Sequence, residues 1–239
     1  MVKMNRDIFI QELQKLDIIV DEEKLNLLNK YYDYLIEYNS HTNLTTITEK
    51  NDVYLKHFYD SLTLSRYINL NEIESMIDIG SGAGFPGVVL KIFFPHINVT
   101  ILDSNNKKTT FVSNLITKLG LNNIEVVNAR AEDYAKENLN KYDLCTSRAV
   151  AFIDIISELS LPFINLNGKV ALMKGNIDNE IKILNNYQQK LNIKNYIINS
   201  FVLPNKDERN IIILTKNGLT KKVLNYSQIV KRSKIWNGK

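Results

Sequence analysis

The sequence predicts an α/β protein: a mostly parallel sheet with helices on both faces, preceded by a helical cap. Two observations carry this. From residue 76 onward short apolar runs alternate with amphipathic stretches, the pattern of strand–helix units in a parallel sheet. The first run, Met76-Ile77-Asp78-Ile79, ends in Gly80, Gly82, Gly84 and Gly87, four of the nine glycines in the chain. That is the pattern of a strand, a tight turn and a helix start, with Pro86 suited to the first helical turn. Such a turn is expected to present backbone N–H groups, backed by a helix dipole, to an anionic or polar ligand.

The first 70 residues read as helical. Ile8, Leu13 and Leu16 are spaced for a helix within residues 5–20, and Asp21 can cap a second one bearing Leu25, Leu28, Tyr32 and Leu35. Tyr31, Tyr32, Tyr34 and Tyr38 crowd this second helix and are expected to pack against the core. A polar loop is expected at 39–46, then a helix capped by Asn51 or Asp52 that reaches about Tyr67 and carries His57, Asp60 and Ser61.

Beyond the glycine turn, residues 99–102 form a second strand ending at Asp103, and 107–119 a helix that Gly120 can stop. Strands follow at 124–127, 143–146 and 169–173, with a helix at 152–161 before the last of these. Residues 196–202 and 210–214 have no helix between them and so read as an antiparallel hairpin at one edge, the sixth and seventh strands. The expected organisation is a cap over 1–70, a main domain over 71–216 and a short basic tail over 217–239.

At 239 residues and 44% hydrophobic content the chain can bury one sizeable core. The net charge of +4 and pI near 8.9 suit an anionic partner. A single cysteine, Cys145, excludes an internal disulfide and any multi-cysteine metal site, and is usual in a reducing compartment. No apolar run approaches the ~18 residues of a membrane span. A cytoplasmic monomer is expected, without metal and without a membrane.

The glycine turn allows two cofactors. Gly82-Ala83-Gly84-Phe85-Pro86-Gly87 matches the dinucleotide pattern G-x-G-x-x-G, but the strand ends near Ile79 and places that match late. Read from the strand end, the segment is acid-x-Gly-x-Gly-x-Gly, which resembles the first motif of Rossmann-like methyltransferases that bind S-adenosylmethionine. Asp103, about twenty residues on, can accept from ribose hydroxyls with either cofactor. The segment Arg130-Ala131-Glu132-Asp133 either frames an adenine or simply starts a helix.

The fourth strand ends in Ser147-Arg148-Ala149-Val150, without the Asn/Asp-Pro-Pro-aromatic tetrad of amino-group methylases. Cys145 sits in an expectedly buried strand and is a poor nucleophile, which excludes pyrimidine C5 chemistry. Lys107, Lys108, Arg130, Arg148, Lys174 and Arg209 fall near strand ends or helix starts, a distribution that suits phosphates. His57 with Asp60 is a further acid–base candidate.

Together these segments resemble the glucose-inhibited division protein B family, also called ribosomal RNA small subunit methyltransferase G. The resemblance covers about residues 25–215. It rests on Asn43-Leu44-Thr45, His57-Phe58-Tyr59-Asp60-Ser61-Leu62, the stretch 78–87, Asp103-Ser104 with Lys107-Lys108, Arg130-Ala131-Glu132, Ser147-Arg148-Ala149, Lys174-Gly175 and Arg209. It implies a seven-stranded Rossmann-like fold and methyl transfer from S-adenosylmethionine to N7 of a guanine in small-subunit ribosomal RNA. It also implies cofactor contacts at Gly80, Phe85, Ala131, Glu132 and Arg148, to which the glycine reading adds Gly82 and Gly84. No side-chain general base is expected, Arg148 being the candidate for orientation. The family's Tyr-Pro-Arg tail is replaced here by Val230-Lys231-Arg232. The rivals are a nicotinamide-dependent oxidoreductase and a non-catalytic RNA-binding assembly factor.

Overall fold

The computed structural model describes residues 3–236. Asn5 caps α1 (Arg6–Gln14), accepting from the Ile8 N–H, and Phe9 and Leu13 bury its inner face. This helix stops short of the expected 5–20 span, because the chain turns at Asp17 with φ 55. Asp21 caps α2 (Glu22–Thr42) at 2.8 Å from the Lys24 N–H, as its sequence position predicts. Leu28, Tyr31 and Leu35 lie on one face of α2 and are fully buried. The helix runs past the expected loop start at 39 and ends at Asn43, whose left-handed φ of 51 lets its N–H return to the Asn39 carbonyl.

The single helix expected from residue 51 or 52 is instead a composite. It begins with α3 (Lys50–Val53), after Glu49, and widens into a π-helical segment, Tyr54–Tyr59. It then continues through α4 (Asp60–Leu62) into a 3₁₀ turn, Thr63–Arg66. Side-chain periodicity does not reveal such a change of winding, which frequently marks a functional site.

The described residues then alternate strand and helix: β1 (Ser75–Ile79), α5 (Gly87–Phe93), β2 (Asn98–Asp103), α6 (Asn106–Leu119), β3 (Ile124–Asn128), α7 (Ala131–Tyr134), β4 (Tyr142–Arg148), α8 (Ile153–Ser160), β5 (Ile164–Lys174), α9 (Asp178–Tyr187), β6 (Ile193–Val202), β7 (Glu208–Lys216) and α10 (Tyr226–Trp236). The sheet order is β3-β2-β1-β4-β5-β7-β6, and only β7 runs antiparallel to its neighbours.

Strand residues alternate between two cores, as the period of two requires. Met76, Ile101, Leu144, Met173 and Ile211 face the cap, α5 and α6, while Ile77, Leu102, Cys145, Leu172 and Ile212 face α8 and the C-terminal helix. The chain leaves β1 in one direction for β2 and reaches β4 on the other side. The carboxyl ends of β1 and β4 therefore form the switch point where open α/β sheets bind ligands.

α9 and α10 are absent from the sequence reading, since α9 is rich in asparagine, α10 in lysine, arginine and serine, and each has only a narrow apolar stripe. The expected basic tail carries a helix, α10, over the second half of its described part. Ile229 is buried, Trp236 stacks on Tyr187 at 4.7 Å between ring centres, and Arg232 pairs with Glu158 on α8 at 3.2 Å.

Candidate active site

Asp78, fully buried in β1, fixes the glycine turn to the sheet. One carboxylate oxygen accepts from the Gly87 N–H at 2.9 Å, the other from the Thr146 hydroxyl of β4 at 3.1 Å. Burial pushes its pKa up to about 6 against the opposing hydrogen bonds. The motif's acid is thus a structural clamp that joins β1, β4 and the start of α5.

The turn's N–H groups are largely committed, contrary to the expectation of a bare cradle. Gly80 donates to Leu102 O, Gly84 and Phe85 to Ser81 O, and Gly82 to the Asp103 carboxylate at 3.0 Å. The glycines serve different ends. A Cβ at Gly84 would meet the Tyr31 hydroxyl at 2.7 Å, and one at Gly87 would meet Ile101 at 2.4 Å, so both permit close packing. At Gly82, with φ +62, a Cβ would meet no protein atom within 4 Å.

A cleft of about 450 Å³ lies over the turn. It brings together Gly80, Gly82, Phe85, Asp103, Ala131, Glu132 and Arg148 from segments far apart in sequence, with Lys108 and Arg130 also on its walls. Gly84 does not line it. Asp103 is 7% exposed, and its carboxylate also accepts from the Asn105 N–H at 2.9 Å.

Arg148, at the end of β4, organises the opposite wall. Its guanidinium lies 5.1 Å from the centre of the Phe85 ring, donates to Lys56 O at 3.1 Å and to His57 Nδ1 at 3.2 Å, and faces Asp60 at 3.4 Å. The π-helical segment delivers these partners: the Lys56 carbonyl, the His57 ring and, one turn on, the Asp60 carboxylate. His57 stacks on Phe85 at 4.5 Å, and Tyr31 stacks on Phe85 at 5.3 Å while its hydroxyl donates to Ala83 O.

His57 Nδ1 lies 3.2 Å from both the Arg148 guanidinium, which can only donate, and the Lys56 carbonyl, which can only accept, while Nε2 faces Thr45 Oγ1 at 3.1 Å. Burial, and then the charge of Arg148, pull the His57 pKa down to about 3. The ring is neutral at physiological pH, so His57 and Asp60 are not a proton-transfer pair.

Three expected RNA cations are committed within the fold. Lys174, 10% exposed, binds Glu180 at 2.7 Å and Ala151 O at 2.8 Å; Glu180 in turn accepts from the Ile153 N–H that opens α8. This lysine fixes the loop after β4. Arg209 binds the 5%-exposed Asp60 at 3.2 Å, and Arg130 pairs with Glu132 at 3.1 Å and covers the Tyr226 ring at 4.4 Å. Only Lys107, exposed, and Lys108, half-buried, remain at the start of α6, where Asn105 caps the helix.

Sequence reasoning missed Tyr31, Thr45 and Tyr226. A tyrosine on the buried stripe of α2, whose hydroxyl must find a partner, was the available signal for Tyr31. Thr45 stands in the Asn43-Leu44-Thr45 segment of the family resemblance without an assigned role, and nothing local marks Tyr226. Cys145 is fully buried, and burial pushes its thiol pKa up, so it is no nucleophile.

The sheet order and a glycine turn at its switch point define the class: a seven-stranded Rossmann-like fold of the S-adenosylmethionine-dependent methyltransferases. The all-parallel order 3-2-1-4-5-6 of dinucleotide enzymes has no reversed β7. Solved structures agree at the level of fold. A SAM-dependent methyltransferase from Aquifex aeolicus superposes with TM-score 0.53 and 14% identity, covering 73% of this chain and 98% of that one. A precorrin-6y C5,15-methyltransferase from Geobacter metallireducens gives 0.52 and 15%, covering 74% and 92%.

The family follows from sequence. The model for GidB, rRNA small subunit methyltransferase G, matches residues 24–212, and the chain belongs to this family. Proteins named ribosomal RNA small subunit methyltransferase G are 43% identical over 224 residues in Oenococcus oeni (92% of each chain) and 41% over 217 in Bacillus subtilis (89% and 91%). The relative in Mesoplasma florum is 48% identical over 180 residues, 75% of this chain and 76% of its own.

Proposed function

We propose that this protein transfers a methyl group from S-adenosylmethionine to N7 of a guanine in small-subunit (16S) ribosomal RNA, acting as a cytoplasmic monomer. The observation that carries the reading is the wall built by Phe85, His57, Arg148 and Asp60 beside the glycine turn, in a chain of this family. The cleft fits the cofactor: the bare side of Gly82 opens into it without meeting protein, and Asp103 retains lone pairs for ribose hydroxyls. Ala131 and Glu132, at the start of α7, line the far end, where an adenine would lie.

Held between the glycine turn, Asp103 and Glu132, S-adenosylmethionine would supply an electrophilic sulfonium methyl, and guanine N7, with a lone pair and no proton, would need no base to accept it. The protein therefore has only to position the reactants, a contribution worth roughly 7–11 kcal/mol. Arg148 anchors Phe85, His57 and the end of β4 as one rigid unit. His57, neutral and held by Thr45, stacks rather than exchanging protons.

It follows that the single-turnover rate is flat from about pH 6 to 9, with no limb that titrates with His57. A limb near pH 6.5 that vanishes in His57→Ala would contradict this. Stability should respond at lower pH. The unfolded chain protonates His57 below about 6.5, the folded one only near 3, so stability falls as pH drops through that window. Thermal melts of wild type and His57→Ala between pH 4 and 7 measure the difference.

For the RNA partner, Lys107→Ala and Lys108→Ala should each lower the log–log salt slope of 16S RNA binding by about 0.7. Arg209→Ala, removing a cation already spent on Asp60, should leave that slope nearly unchanged. Titrations at several salt concentrations check all three. Calorimetry with S-adenosylmethionine and with NAD tests the cofactor: only the former should bind.

A further inference from the structure

A second cleft, of about 260 Å³, lies beyond the Arg148 wall. It shares His57, Arg148 and Ala149 with the first cleft, and its remaining lining includes the apolar Ile47, Phe201 and Ile211 together with the charged Asp60, Lys174 and Arg209. Building on the methyl-transfer reading above, we propose that this second cleft receives the acceptor guanine, turned out of its RNA stack, and that Arg209 reads its O6.

Size and chemistry both point to a base. Enzymes that modify a base inside structured nucleic acid extrude it into a small pocket that holds its faces between apolar or aromatic groups and its edge by hydrogen bonds. The cleft is at the lower limit of small-molecule sites, suitable for one base. Most of its exposed surface is apolar, with the Phe201 ring half-buried on β6 and Ile47 half-buried in the loop before α3.

A phosphate fits poorly, because the cations there are already balanced. Lys56 faces Asp52 at 3.4 Å, Lys174 is paired with Glu180, and Arg148 and Arg209 share Asp60, with Asp207 4.0 Å from Arg209 as the fourth carboxylate. What the arginines still offer is directional N–H. Arg209 uses Nε on Asp60 and Nη1 on Glu208 O, and its Nη2 lies 4.0 Å from Asp207, beyond hydrogen-bond distance, so of its five donors some remain. Guanine presents the O6 acceptor where adenine presents an amino donor. Arg148, His57 and Ala149 line both clefts, so a base in the second lies at the edge of the cofactor cleft.

Ile47→Trp fills the cleft from a loop without touching the cofactor cleft. Val202→Trp, at a 58%-exposed position on the same strand as Phe201, is the control. The measurements are calorimetric affinity for S-adenosylmethionine, affinity for 16S RNA, and the single-turnover rate of methyl transfer. For Ile47→Trp both affinities should stay within about threefold while the rate falls about 100-fold or more, and Val202→Trp should match wild type.

Wild-type protein is also given a 16S fragment whose acceptor guanosine is replaced by inosine, which keeps O6, or by 2-aminopurine riboside, which lacks it. Inosine should be methylated and 2-aminopurine slowed at least about 100-fold, with Arg209→Met narrowing that difference. If Ile47→Trp methylates at the wild-type rate, or if both analogues react equally, the second cleft is not the base pocket although methyl transfer stands. If wild type transfers no methyl to 16S RNA, the functional reading fails and the pocket assignment with it.

Discussion

Gly82→Val yields a folded protein that no longer binds S-adenosylmethionine. A Cβ at this position meets no protein atom within 4 Å and the residue lines the cleft, so nothing in the core must move. The backbone cost is limited to placing a non-glycine residue at φ +62, roughly 1–2 kcal/mol, against a typical stability of about 5–15 kcal/mol. The two γ-methyls instead project into the cleft beside Asp103. The expected loss of affinity is at least about 100-fold, or ~2.7 kcal/mol, with circular dichroism and melting cooperativity unchanged. Gly84→Val is the contrast, because its Cβ strikes the Tyr31 hydroxyl and Val88. That variant should lose stability as well as binding. An unchanged calorimetric affinity in folded Gly82→Val protein would mean that the turn does not cradle the cofactor.

Arg148→Ala should be the most damaging single change outside the turn. It removes the cation from the Phe85 face, the partner from His57 Nδ1, and one of the two arginines holding Asp60. Removing one partner of a buried ion pair costs about 3–5 kcal/mol, and Arg209 still holds Asp60, so the lower figure applies. For a chain of this size that corresponds to a melting temperature lower by roughly 6–12 °C. The rate should fall further than stability alone explains, by about 100-fold or more, since a misplacement of 1 Å has that effect. Arg148→Lys tests the distinction. It restores the charge, but a single ammonium cannot lie flat on Phe85 while reaching Lys56 O, His57 and Asp60 together. It should recover part of the stability and little of the rate. Full recovery of the rate by lysine would reduce the role of Arg148 to its charge.

The sheet was legible because its signals are local. Each strand is an apolar run bounded by turn residues, and Asp21 and Gly120 punctuate helices through their own side-chain or backbone preferences. The edge hairpin could be read from the lack of a helix between residues 202 and 210. What stayed hidden depends on distant partners. Lys174 and Arg209 look like free cations in sequence and are tied in the fold to Glu180 and Asp60, the latter 149 positions away. The π-helical segment has no periodic signature, yet it brings Lys56, His57 and Asp60 onto one arginine. The residues expected around the cofactor do converge on one cleft, except Gly84, whose missing side chain serves packing against Tyr31.

The central claim is methyl transfer to guanine N7 without proton removal, and identification of the product tests it most directly. Purified protein is incubated with methyl-labelled S-adenosylmethionine and either deproteinised 16S RNA or small subunits from cells lacking this protein. The RNA is then digested to nucleosides and analysed by mass spectrometry. The account predicts label in 7-methylguanosine alone, at one position. Label in any other nucleoside, or none from protein that binds S-adenosylmethionine and RNA normally, would contradict it.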